Sequence, residues 1–288
     1  MTKQVVFKQY SIQEGPEAIK DYSLYFSTSQ NLECVYVSLL LASFKALTVV
    51  VLGITYPATI DFLQRVLSKT VNSNIIIASI PVENYISADY ERSGQLMAKT
   101  FESALEILKG EDLRADLVCI PANTNHIEAS FSILASSVSS IAPNTRIIHM
   151  PDEVSLIAQS RGYKTLGVLG TLTTTSLASP YSRSLSTRGL DCIYPCETDR
   201  QVLQDLILQL IHSSSEMILS NAEILQAVMG RMDVDAFVLG CTEFPMLLRM
   251  TECLKEVDQI LVEKTTGKPV LDSTGILVDA VVRSILVM

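Results

Sequence analysis

The sequence predicts an α/β protein of two pseudo-symmetric halves, each a mostly parallel four-stranded sheet flanked by helices, with the active site in the cleft between them. Three observations predict it. From Ala46 onward, short β-branched runs alternate with longer amphipathic stretches, the pattern of strands joined by helical crossovers. Most of the runs are apolar without period-2 alternation, as in strands covered on both faces. The strand ends of the first half also reappear in the second.

Residues 1–45 read as an N-terminal extension that packs on the body or is partly disordered; they mix polar stretches with the apolar run Cys34–Phe44. Strands are expected at Thr48–Leu52, Ile75–Ile80, Leu117–Ile120, Arg146–His149, Leu166–Leu169, Cys192–Tyr194, Ala236–Leu239 and Pro269–Leu271. Helical patterns occupy Ala58–Lys69, Ser93–Leu108, Asp152–Ser160, Ser179–Arg188, Asp199–Met229 and Thr274–Leu286. The first α/β domain is expected at 46–152 plus 273–288, the second at 153–272. These strands also fit one closed (β/α)8 barrel, but paired loops favour two halves. Leu117–Pro121 runs into Ala122-Asn123-Thr124, and Ala236–Gly240 runs into Cys241-Thr242-Glu243. Val49–Gly53 and Gly167–Gly170 likewise each end in glycine before a threonine-containing turn. In each of the first two loops a hydroxyl or amide residue is placed to cap the next helix. Duplicated loops of this kind place a ligand between duplicated units.

Composition narrows the function. A net charge of −9 excludes the basic footprint of a nucleic-acid binder. The longest apolar run, Cys34–Phe44, is shorter than the ~20 residues of a membrane span and lacks the basic flank of a signal peptide. The 6 cysteines form no CxxC pair, and a chain of this size needs no disulfide staples, so reduced thiols in a cytoplasmic protein are expected. The 3 histidines show no metal-binding spacing, and no metal site is expected.

Cys241 follows a strand-ending glycine and precedes a helix start. There, positive potential and free N–H groups are expected to lower a thiol's pKa, giving a base or nucleophile. A buried small apolar residue is the alternative reading of the same cysteine. Asn123, Thr124 and Thr242, with helix-end N–H groups, suit a small carboxylate. Thr171 and Thr174 offer a further polar lip, although turn chemistry alone also explains a threonine cluster.

From about Ala46 to the C-terminus the chain resembles the aspartate/glutamate racemase family. Leu239-Gly240-Cys241-Thr242-Glu243 stands where that family has its second catalytic cysteine, and Pro121-Ala122-Asn123-Thr124-Asn125-His126 where it has the first. Val168–Thr174 with Tyr181, Leu271–Thr274, and Leu52-Gly53 with Pro57-Ala58-Thr59 resemble three further motifs, in the family's order. The resemblance implies a cofactor-independent amino-acid racemase and a homodimer. In such enzymes one thiolate removes the α-proton and the other thiol returns one to the opposite face. It makes Cys241 the retained acid/base, and Thr55, Asn123, Thr124, Thr171, Thr174, Thr242 and Glu243 the candidate substrate-binding set.

The chain also departs from the pattern. Ala122 fills the first cysteine position, and a methyl group transfers no proton. Cys119, three residues back in the strand, points to the other face; His126 reads as a residue that orients the loop. The first loop reads Gly53-Ile54-Thr55-Tyr56-Pro57 where the family usually has consecutive glycines and a methionine, so Ile54 and Tyr56 change the pocket wall; Leu277 replaces a histidine, and Arg92 is the nearest basic residue after the second strand. Two alternatives follow: a catalytically weakened protein that binds a small carboxylate, or a decarboxylase with a single cysteine.

Overall fold

The structure is a computed structural model of the chain. It describes residues 3–6, 24–28, 35–39, 46–54, 56–70, 73–79, 89–110, 112–212 and 218–287. Thr55, Cys34 and the segment after the second expected strand lie outside the described residues, as does the side chain of Tyr56. The chain divides into two compact units: Met1–Pro121 with Ala129–Ile148 and Val278–Met288, and Ala122–Glu128 with His149–Leu277.

The sheet of the first unit is built on four parallel strands, β4 (Leu47–Gly53), β5 (Ser73–Ser79), β6 (Leu117–Cys119) and β7 (Arg146–Ile147). Their order across the sheet is β5-β4-β6-β7. Within residues 1–45 three strands are described: β1 (Lys3–Val6), β2 (Leu24–Thr28) and β3 (Val35–Leu39). They add antiparallel to the free edge of β5, in the order β1-β2-β3-β5. The helices are α1 (Tyr56–Leu67), α2 (Tyr90–Gly110) and α3 (Glu128–Ile141). Helix α2 starts where Asp89 Oδ1 accepts the Arg92 backbone N–H at 2.8 Å, which satisfies an orphan donor of its first turn. Its buried stripe, Met97, Phe101, Ala104 and Leu108, keeps the spacing of one helix face. The Arg92 side chain is exposed in that first turn. Strand β6 and, from Thr48 on, the mainly apolar strand β4 are buried, as both-face coverage requires.

The second unit repeats the arrangement. Strands β8 (Thr165–Leu169), β9 (Asp191–Ile193), β10 (Ala236–Leu239) and β13 (Val270–Asp272) are parallel, in the order β13-β10-β8-β9. Helices α4 (Met150–Ser160), α5 (Pro180–Ser186), α6 (Glu197–His212), α7 (Ile218–Gly230) and α8 (Glu243–Met250) belong to it. A hairpin of β11 (Leu254–Val257) and β12 (Ile260–Glu263) precedes β13. Helix α9 (Ser273–Val287) begins at Asp272, whose Oδ1 accepts the Gly275 N–H at 3.0 Å. Leu277 within it is fully buried.

In both units, counting parallel strands along the chain, the order is second, first, third, fourth in the first sheet and its counterpart in the second, with β8 and β10 adjacent as β4 and β6 are. Two separate open sheets replace the closed barrel that the strand count alone allowed. The single helical pattern expected over Asp199–Met229 is divided between α6 and α7. Among the described residues no helix is long and apolar enough to cross a membrane.

Candidate active site

A parallel sheet wound outward in both directions has a switch point, where neighbouring strands send their connections to opposite sides and leave a crevice at their C-terminal ends. In the first unit that point lies between β4 and β6, at Gly53 and at the residues leading to Ala122. In the second it lies between β8 and β10, at Gly170 and at Gly240-Cys241. The motif loops and the switch points coincide.

The second switch point requires glycine at both strand ends. A Cβ on Gly170 would lie 2.7 Å from the Gly240 carbonyl oxygen, and one on Gly240 would lie 2.9 Å from the Leu169 carbonyl oxygen. The Gly240 N–H donates to that Leu169 oxygen at 2.7 Å. The two backbones touch, and this fixes where the next residue, Cys241, begins.

Cys241 is buried, 6% exposed. Its thiol donates to Glu243 Oε2 at 2.8 Å, and the Thr242 hydroxyl donates to the same oxygen at 2.9 Å. The thiol pKa is raised well above the ordinary value, first by burial and then by the Glu243 charge and its hydrogen bond. The backbone N–H groups of Glu243 and Thr242 bond to the sulfur and pull the other way, but they lose. This corrects the expectation of a lowered thiol pKa. The helix-end N–H groups are present; a desolvated thiol beside a carboxylate outweighs them.

Neither Thr242 nor the turn after β6 caps its helix through a side chain. Ala122 is extended and half-buried ahead of a 3-10 turn, Asn123–His126. The Asn123 side chain, 4% exposed, instead ties three segments together. Its Oδ1 accepts a hydrogen bond from the Tyr181 hydroxyl, and its Nδ2 donates to Ser273 Oγ at 3.2 Å. Ser273 Oγ donates to the Leu239 carbonyl at 2.7 Å. The turn carrying Ala122 is thus fastened to the end of β10, two residues before Cys241, through the first residue of α9. Tyr181 is fully buried, and burial pushes its phenol far above the ordinary range. His126 is buried with its ring edge-on to His149, centroids 5.0 Å apart. His149 Nδ1 lies 3.1 Å from Asp152 Oδ2.

Of the other expected residues, Thr124 is half-buried in the same turn. Thr171 and Thr174 bond mainly to each other, Oγ1 to Oγ1 at 3.0 Å, and the Thr174 N–H donates to Thr171 Oγ1 at 3.1 Å. Thr174 is fully buried, so its hydroxyl shapes the turn. Cys119 is fully buried in β6, and burial drives its thiol far up. Residues that sequence reasoning passed over also hold this end of the unit. Gln204 Oε1 accepts the Leu172 N–H at 2.9 Å, and Arg200 donates to the Thr175 carbonyl at 3.2 Å. Arg249 pairs with buried Asp272 at 2.8 Å. Their signal is one of spacing only: Arg200 and Gln204 are one helical turn apart on α6. Among the described residues no cluster of metal-ligating side chains is present.

The model of the Asp/Glu/Hydantoin racemase family matches residues 51–281. The chain belongs to that family. As a racemase-family protein it is similar in fold to an aspartate racemase homologue from Pyrococcus horikoshii OT3, with a TM-score of 0.61 at 19% identity over 83% of this chain and 99% of that one. It is also similar to the aspartate racemase of Picrophilus torridus, with a TM-score of 0.58, 22% identity, and 83% and 94% coverage. The glutamate racemase of Francisella tularensis, solved with D-glutamate, has a TM-score of 0.56 at 14% identity over 82% and 80% of the two chains. Among curated protein sequences none matches this one.

Proposed function

We propose that this racemase-family protein removes and returns the α-proton of a small amino acid, with Cys241 as the acid/base and without pyridoxal phosphate. One observation carries the reading. The thiol stands at the switch point of the second sheet, with the backbone N–H groups of Thr242 and Glu243 on its sulfur and a carboxylate 2.8 Å away to receive its proton. The substrate carboxylate is assigned to the polar groups of this loop and of the Asn123–His126 turn, chiefly the Thr124 hydroxyl, since the Thr242 hydroxyl is held by Glu243. Negative charge developing at the substrate is stabilised by nearby N–H dipoles, which are already oriented and so need no reorganisation as the charge forms.

Ala122 favours a second reading at the same site. With one thiol, protonation on a single face suffices for a decarboxylase, whereas racemisation needs a donor on the opposite face, here a water or another polar side chain. Incubation of L- and D-amino acids with the protein in D2O separates the readings. Deuterium at Cα with inversion is the racemase result, and deuterium with retention assigns chemistry to one face only. Absence of exchange with every amino acid, together with measurable ligand binding, contradicts the racemase reading and favours a carboxylate-binding protein, whereas release of CO2 from a substituted malonate marks the decarboxylase.

A further inference from the structure

Ser273 touches no group assigned to substrate, yet the hydrogen bonds around it all run in one direction. Strand β13 pairs with β10 so that Leu239 lies opposite Asp272, which brings Ser273, the next residue, beside the end of β10. Ser273 is fully buried, and its Oγ donates to the Leu239 carbonyl at 2.7 Å. A carbonyl oxygen only accepts, and a hydroxyl has one proton to give. Toward Asn123 the Ser273 oxygen therefore only accepts. The amide end of Asn123 faces it, with Nδ2 at 3.2 Å, and the carbonyl end is left to the Tyr181 hydroxyl, which donates to it. One backbone acceptor thus sets the direction of every bond from Tyr181 to Leu239.

We propose that Ser273 is a positioning residue: by fixing which way the Asn123 amide faces, it places Thr124, the next residue of the turn, for the substrate carboxylate. This rests on the reading that the turn receives that carboxylate. Turned the other way, the Asn123 carbonyl would meet the Ser273 oxygen with no proton between them. Asn123 is 4% exposed, so water screens little of that repulsion. Cys241 is placed separately, by the contact of the Gly170 and Gly240 backbones, and its thiol bonds to Glu243. Ser273 therefore acts on substrate binding and leaves the proton exchange at Cys241 alone.

Two variants of the full chain break the same bond from its two sides. Ser273→Ala removes the acceptor, and Asn123→Asp removes the donor while keeping the outline of the side chain. The side-chain N–H signals of Asn123, identified in nuclear magnetic resonance spectra by their loss in Asn123→Asp, report the bond without any ligand. They should exchange with water at least about tenfold faster in Ser273→Ala than in wild type. Cα deuterium exchange should show KM raised about tenfold in each variant, the scale of one lost hydrogen bond to a charged group, with kcat within about threefold. The effects of the two variants should not add in the double variant, because both remove one interaction. Ser273→Thr keeps the hydroxyl and should return both readouts to near the wild-type values. If Ser273→Ala does not fold, Asn123→Asp carries the kinetic test. Unchanged exchange of the Asn123 amide overturns the proposal. So does a fall in kcat at unchanged KM, which is what loss of folded protein produces. A wild type that exchanges no Cα proton defeats instead the functional reading on which the proposal rests, whatever the amide shows.

Discussion

Asn123 and Ala122 are adjacent in the chain and opposite in consequence. Asn123 uses its amide to bind Tyr181 and Ser273, so its contribution is to hold the turn. Tyr181→Phe would leave Asn123 Oδ1 buried without its donor, at a cost of about 1–2 kcal/mol. Chemical denaturation should show that loss, together with lower exchange activity, because the turn it frees carries Thr124, to which the substrate carboxylate is assigned. Ala122 contributes only a methyl group. Ala122→Cys should raise the inversion rate by at least about tenfold, the low end of what a positioned proton donor supplies, read by polarimetry. No gain would contradict the proposal that positions 122 and 241 face each other across the substrate. The place of Cys241 at a strand end before a helix was legible in the sequence, but the direction of its pKa was not. A helix start can be read from residues, whereas the burial of the thiol and the rotamer that brings Glu243 onto it are set by packing.

At the scale of elements, the hairpin β11–β12 escaped the sequence. Its turn residues, Asp258 and Gln259, both have positive φ, 50° and 63°, as a type I′ turn demands, but they lack the Asn-Gly signature that announces one. Helix α3 was equally hard to read, because its serines are weak helix formers and its buried stripe is narrow: Ser130, Leu134 and Val138. The hairpin ends on Glu263, which is fully buried and accepts the N–H groups of Thr265 and Thr266 at 2.8 and 2.7 Å and the Gln226 amide at 2.6 Å. Burial alone would raise its pKa, but these donors overcome it and the carboxyl sits below its ordinary value. A lowered folded-state pKa adds stability above the unfolded value of about 4.3, and that stability is lost as pH falls through the folded value. Glu263→Gln places an amide N–H against backbone donors. It should cost about 2 kcal/mol near neutral pH, with the gap to wild type closing in acid, as thermal unfolding across pH would record. At the paired strand ends, Gly240→Ala should cost about 1–3 kcal/mol, because the new Cβ meets the Leu169 backbone 2.9 Å away. Denaturant titration checks it.

At the scale of the molecule, each of the two sheets carries its motif loops at the switch point. That was legible because parallel strands buried on both faces write themselves as apolar runs; the expected strands fall within a few residues of the observed ones. Strands β1 to β3 were not, because short strands of mixed composition, such as Lys3–Val6 and Leu24–Thr28, carry little periodicity. The winding places Cys241 at the switch point of the second sheet, and the proposal that it is the reactive group there is open to one direct test. Deuterium incorporation at Cα of an amino-acid substrate in D2O should be measured for wild type and Cys241→Ala at matched concentration and fold. Exchange by the wild type and a loss of at least about 1,000-fold in the variant are the predicted result. Exchange that persists undiminished in Cys241→Ala would contradict it.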